Sequence, residues 1–281
     1  MVARTVITVR QERLGAELRK LRERSGLGLR EAARATGINE SKLSSVEAAR
    51  VGVSAERIRF LASHYGVGDS PLIDALVIMA NERVRGWWEE YRGLLPRSFV
   101  DLAELECHAT YLRSFEMVHI PGLLQTEEHV QALYNASTWG MAEEQRETRA
   151  RFRLQRQEVL HRDDLVYEVV IHEAALRIRR AGLEVVQQQL RHILEQSERP
   201  QVSLRVVPFD ADRFNVLYAT LLLGGPVPEL DTVLLDAAHE GTFLDAEAQL
   251  DRYRRVFVEV QKSALGVVES REFIHRLTKD Q

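Results

Sequence analysis

The sequence has one cysteine in 281 residues, Cys107, so no internal disulfide can form, and no Cys/His cluster offers a tetrahedral zinc site. A reducing compartment is the expectation. Long apolar runs are missing too: the longest, such as Leu217 to Gly225, fall far short of a bilayer, and the opening MVARTVITVR has no secretory apolar region. A cytoplasmic protein with no membrane partner follows. Signatures of catalysis are equally scarce. Ile171-His172-Glu173-Ala174-Ala175-Leu176 begins like a zinc-protease helix, but Leu176 stands where the second histidine is needed. His161, His192 and His239 show no ligand spacing. Gly26-Leu27-Gly28 and Gly66-Val67-Gly68 lack the third glycine of a dinucleotide loop, and neither a P-loop nor a G-x-S-x-G elbow occurs. The expectation is a non-enzyme with no catalytic residue, no cofactor and no metal site.

What the chain does have is an uneven distribution of charge. The net charge of −4 conceals a first segment, residues 1–68, with thirteen Lys/Arg against seven Asp/Glu. The remainder carries 25 basic and 35 acidic residues, a balance of −10. A polyanion suits the first part and is repelled by the second. Within the basic part lies LREAARATGINESKLSSVEAAR, residues 29–50. Ala33 is small where two helices must approach, Gly37 can adopt φ > 0 in a tight turn, and Ile38, Leu43 and Val46 form the inward stripe of a second helix. Asn39 is placed to cap that helix. The spacing predicts a helix-turn-helix, whose second helix enters the DNA major groove; a plain helical hairpin is the blander alternative.

The candidate DNA contacts are Arg30, Asn39, Glu40, Ser41, Lys42, Ser44, Ser45 and Arg50. Glu40, Ser41, Ser44 and Ser45 are assigned to base edges, Lys42 and Arg50 to phosphates. Around this motif the pattern predicts an arm at Thr5–Val9, a helix over Glu12–Arg24 with Leu14, Leu18 and Leu21 inside, one after the Ser54 cap, and a fifth from Ser70-Pro71 to about Trp88. Gly28, with Glu31 three residues on, starts the first helix of the motif. The region Gly86 to Pro96 closes a helical domain set at residues 10–90.

A mixed α/β domain is expected over 100–281. It begins with a helix over Val100–Met117, then a turn at Pro121-Gly122 and a helix capped by Thr126. Glu143–Leu160 reads as a long solvated helix. Strands are predicted at Leu165–Ile171, Val202–Val207, Tyr218–Leu223 and Thr232–Leu235. Helices are predicted at Gly182–Glu198, from Asp245 to about Leu265, and over Glu269–Leu277. The fold class is thus multidomain, α and α+β.

GAELRKLRERSGL (15–27), SKLSSVE (41–47), GWW (86–88), IPGLLQTEEHV (120–130), EAAL (173–176), QLRHILE (189–195) and VVPF (206–209) carry a resemblance covering nearly the whole chain. It resembles actinobacterial xenobiotic-response-element-type helix-turn-helix regulators with a large C-terminal domain, often described as antitoxin-like. The resemblance implies a lambda-repressor-like N-terminal domain and a transcriptional regulator binding double-stranded operator DNA as a homodimer. It also implies a small partner protein encoded nearby. A C-terminal domain that senses a small-molecule effector or docks a protein is the leading expectation, and an antitoxin-like factor acting mainly through that partner is the alternative. Three positions depart from the pattern. Glu40 and Ser45 stand where relatives commonly carry Arg, Ala48-Ala49 where they place a Gly, and Gly28 where they place a Thr cap. Glu40 can accept from a cytosine amino group, so the departures imply either altered specificity or weaker DNA binding.

Overall fold

The computed structural model describes residues 7–82, 85–136, 140–179, 182–212, 214, 216, 218–236 and 241–280. The chain divides into two compact units, Met1–Trp87 with Pro226–Leu230, and Trp88–Gly225 with Asp231–Gln281.

The first unit is helical: α1 (Val9–Arg24), α2 (Leu29–Thr36), α3 (Glu40–Glu47), α4 (Ala55–His64) and α5 (Pro71–Asn81). Each start has a local cause. Thr8 Oγ1 accepts from the Gln11 N–H while the Gln11 side chain reaches back to the Thr8 N–H, a capping box that sets α1. Ser54 and Ser70 cap α4 and α5 through the Arg57 and Ile73 N–H groups, with Pro71 at the first helical position of α5. Leu14, Leu18, Leu21, Ile38, Leu43, Val46, Ile58, Leu61 and Leu76 meet in one core, which Leu230 joins.

Two expectations are corrected here. Of the Thr5–Val9 arm, Thr5 and Val6 lie outside the described residues, Thr8 is a cap and Val9 already belongs to α1. α5 ends at Asn81 rather than near Trp88, because Glu82 turns extended at ψ 121°; Trp87–Tyr91 forms a separate 3-10 turn.

The second unit opens with α6 (Arg97–His108) and is built on a six-stranded sheet. In chain order follow β1 (Tyr111–Glu116), α7 (Glu127–Asn135), α8 (Glu143–Arg156), β2 (Val166–His172), α9 (Glu173–Arg177), α10 (Leu183–Gln196), β3 (Val202–Val207), β4 (Thr220–Gly224), β5 (Thr232–Leu235), β6 (Thr242–Leu244), α11 (Glu247–Ser263) and α12 (Val267–Asp280). The strand order is β3-β2-β1-β4-β5-β6, parallel among β1, β2 and β3 and antiparallel from β4 onward. Alternation puts Leu112, Tyr167, Val169, Leu204 and Leu223 on one face with Leu190 and Ile193 of α10 and Ile274 of α12. On the other, Phe115, Val170 and Val207 meet Phe257 and Val260 of α11. A helical N-terminal region followed by a mixed sheet flanked by helices is therefore the architecture, as the sequence predicts.

The largest correction is at Val100–Met117, expected as one helix. The helix stops at His108 and β1 follows, bonded on both sides, to β2 in register Leu112↔Tyr167 and to β4 in register Leu112↔Leu223. Pairing to segments some 55 and 110 residues away overrides a local pattern short enough to read either way. β6 and α9 are elements the sequence reading does not contain. α8 gives way to a 3-10 turn at Gln157–His161, and its charge run is not wholly solvated: Arg156 is half-buried, in a bidentate pair with the buried Glu106 at 2.7 and 2.6 Å.

Candidate nucleic-acid interface

The turn between α2 and α3 is made by Gly37 at φ 65°, ψ 16°, a left-handed conformation that a Cβ disfavours. Ala32 and Ala33 are buried behind it, so the two helices approach closely. Asn39 Oδ1 accepts from the N–H groups of Ser41 at 2.9 Å and Lys42 at 3.4 Å, closing the first turn of α3. Ile38, Leu43 and Val46 are buried. The other faces of α3 are thereby turned outward: Glu40, Ser41 and Lys42 are exposed, Ser44 and Ser45 half-buried. Beyond α3, Arg50 is exposed and its N–H bonds back to the Ser45 carbonyl at 2.9 Å. Ala49 makes that reversal at φ 57°, the one non-glycine residue with positive φ among the described residues.

α3 is held against α1 at two points. A Cβ on Gly15 would lie 2.5 Å from the Glu47 carbonyl oxygen, so only a glycine permits this approach of the two helices. A turn further along, Arg22 Nε and Nη2 donate to Glu47 Oε1 and Oε2 at 2.7 and 2.9 Å, both side chains under one-tenth exposed. The carboxylate beside it holds the Arg22 guanidinium above its ordinary pKa. Tyr65, adjoining this pair, is pushed up to about 12, first by burial and then by the Glu47 charge.

Two groups of cations stand out in this unit. Arg10, Arg13, Arg19, Lys20, Arg22 and Arg59 each pair with a carboxylate: Glu82, Glu17, Glu23, Glu17, Glu47, and Asp69 with Asp74. Arg30 and Arg34 on α2, Lys42 on α3, Arg50 after it and Arg57 on α4 are exposed and have no carboxylate partner among the described residues. Apart from Arg85, which is also exposed, this free positive charge lies on the helix-turn-helix and the start of the helix that follows.

Of the residues singled out from the sequence, Arg30 lies exposed at the start of α2, Glu40, Ser41, Lys42, Ser44 and Ser45 lie exposed or half-buried along α3, and Arg50 is exposed just after it. Asn39 differs: its oxygen is committed to the backbone of α3, which makes it a positioning residue. Arg34 and Arg57 were not singled out. Their exposure could be read from helical spacing, but their lack of a partner depends on where distant carboxylates fall in the folded chain.

The zinc-protease-like fragment is split between a strand and a short helix. His172 ends β2 and its Nδ1 accepts from the Ala174 N–H at 3.2 Å as the cap of α9, and burial lowers its pKa. Glu173 is buried, paired with Arg177 and accepting from the Phe209 N–H at 2.8 Å. Among the described residues no group of three or more His, Cys, Asp or Glu is arranged to hold a metal, and no helix is long and apolar enough to cross a membrane.

Comparison with known families gives two matches. Residues 13–76 match a family described as a helix-turn-helix domain, and residues 99–276 match one described as a domain of unknown function (DUF5753). No curated protein and no solved structure matches the chain.

Proposed function

From a chain that belongs to the DUF5753 family and carries a helix-turn-helix domain ahead of that region, we propose a transcriptional regulator that binds double-stranded operator DNA. The observation that supports this reading is the division of cations: Arg10, Arg13, Arg19, Lys20 and Arg22 on α1 pair with carboxylates, whereas Arg30, Arg34, Lys42, Arg50 and Arg57 are exposed and have no carboxylate partner among the described residues. Unmatched arginines and lysines around a helix that presents polar side chains outward are what phosphate contacts and base readout require. In this reading Glu40, Ser41, Ser44 and Ser45 face base edges, the five cations face phosphates, and the protein acts by binding rather than by catalysis.

One helix-turn-helix reads a half-site, so the proposed assembly is a homodimer on an inverted repeat with half-sites about one helical turn apart. The mixed α/β unit is the proposed regulatory module. It can alter operator affinity only through a ligand that prefers one state of the dimer. No observation favours the antitoxin-like reading, in which a small partner protein carries the activity.

The test is to recover fragments of the source genome bound by the full chain, sequence them, and measure the mass of the protein by light scattering with and without a recovered fragment. An enriched inverted repeat bound by two protomers is expected. Recovery of unenriched genomic DNA, or of none, would remove the proposal.

A further inference from the structure

The connection from β4 to β5 is longer than a hairpin needs. Antiparallel neighbours can be joined by about two to five residues, whereas here the chain runs from Gly225 through Asp231 between them. Its middle, Pro226–Leu230, belongs to the helical unit, while both of its ends belong to the second unit. Pro226 and Pro228 restrict this backbone in advance, and a 3-10 turn over Pro228–Leu230 is closed by the Leu230 N–H donating to the Val227 carbonyl at 2.9 Å. Leu230 is then only 7% exposed within the core of the helical unit, and Val227 packs against the same core. The Glu229 carbonyl accepts from Arg13 Nη2 of α1. Arg13 is itself buried and pairs with the buried Glu17 at 3.0 Å.

The base of the segment is fixed by one buried carboxylate. Asp231 Oδ1 accepts from the Gly225 N–H at 3.0 Å, and Oδ2 accepts from the Tyr111 hydroxyl at 2.5 Å and from Arg254 Nη2 at 2.6 Å. Tyr111 opens β1, in register with Gly224 of β4, and Arg254 lies on α11, so both ends of the segment are tied to the sheet and its covering helix. The middle has room to shift. A cavity of about 460 Å³ lies beside it, lined in part by Leu21, Tyr65, Val67, Leu72, Val227 and Pro228.

The helix that the segment grips is also the one that holds the recognition helix. Gly15 of α1 abuts the Glu47 carbonyl, and Arg22 of α1 pairs with the Glu47 side chain at 2.7 and 2.9 Å. We infer that Pro226–Leu230 is a strap through which the β4–β5 hairpin controls how firmly α1, and with it α3, is held. A ligand or partner that strains β4, β5 or the Asp231 cluster then acts on the recognition helix by drawing the strap from the helical core, without touching the DNA-facing residues. The effect on operator affinity rests on the regulatory reading above; the effect on the helical unit does not.

The experiment is amide hydrogen exchange on the full chain without DNA, with the amides of β2 as an internal reference. Leu230→Ala removes the apolar plug, and protection in Leu14–Leu21 and Leu43–Glu47 falls at least about tenfold, as expected for truncating a core leucine. Asp231→Asn alters a residue whose partners Tyr111, Gly225 and Arg254 all belong to the second unit, yet it lowers the same amides at least about fivefold. Protection within about threefold of the parent after Leu230→Ala overturns the inference, because the segment then holds nothing. The same result after Asp231→Asn overturns it too, because a plug that ignores its base transmits nothing. Equal losses at β2 in both variants mean general unfolding and also count against the strap. Operator affinity of the two variants is measured alongside and falls with the protection. If protection falls as stated while neither parent nor variant binds a genomic fragment, the regulatory reading fails and the strap stands.

Discussion

Replacing Glu47 by Gln removes one charge from the pair that fixes the recognition helix to α1. In the native chain Arg22 donates two bonds to Glu47 at 2.7 and 2.9 Å and a third, through Nη1, to the Leu27 carbonyl at 2.9 Å. The glutamine keeps one acceptor and the Leu27 bond is untouched, but the guanidinium, only 8% exposed, is left without its counter-charge. Glu23, 3.6 Å from Nη2, is half exposed and screened, so it compensates little. Removing one partner of a buried pair costs about 3–5 kcal/mol, and the retained bond places this case near about 3. That is a large part of the stability of a unit this size.

The assay is amide hydrogen exchange on the full chain, which reads each unit separately. Amides in Leu43–Glu47 should lose protection by about a hundredfold while those of β2 stay unchanged as an internal reference. A double substitution, Arg22→Met with Glu47→Leu, should recover most of the loss by replacing the pair with apolar contact. Protection within about threefold of the parent in Glu47→Gln would refute the claim that this pair positions the recognition helix.

Other substitutions test separate parts of the account. Ala49 holds φ 57° while buried, so Ala49→Gly trades backbone strain against a lost methyl contact and should stay within about 1 kcal/mol of the parent, whereas the β-branched Ala49→Val should cost about 2–3 kcal/mol in a thermal melt. Ser41→Ala or Ser45→Ala should change preference among operator variants by about 1–3 kcal/mol, read by competition binding, while Arg50→Gln should weaken all of them alike. Burial, followed by the Asp236 charge, raises Glu116 in the folded state to about 8, so its contribution to stability is present at low pH and is lost as pH rises through that value. Glu116→Gln should therefore melt near the parent at pH 5 and above it at pH 8.5; a gap that is equal at both would contradict the assignment.

The helix-turn-helix was legible because its determinants are local. Gly37 needs positive φ, Asn39 caps within three residues, and Ile38, Leu43 and Val46 repeat at helical spacing, so a window of about twenty residues contains the motif. What was not legible depends on partners far away in sequence. β1 is a strand because β2 and β4 flank it, and Tyr111–Glu116 alone does not disclose them. The Arg22–Glu47 and Arg156–Glu106 pairs join residues 25 and 50 positions apart. The same reason hid Arg34 and Arg57 among the candidate contacts: sequence shows a cation, and only the fold shows whether a carboxylate has taken it. Asn39 is legible as the cap of α3, which the structure shows, because the bond it makes is local.

The most direct test of the DNA-binding reading is the salt dependence of affinity for a recovered operator fragment. With the five cations assigned to phosphates in each protomer and two protomers on an inverted repeat, the slope of log K against log salt should approach about −9, and replacing Arg50 by Gln in both protomers should make it shallower by about 2. A slope near zero, or one that Arg50→Gln leaves unchanged along with its Arg30, Arg34, Lys42 and Arg57 counterparts, would contradict DNA binding through this surface.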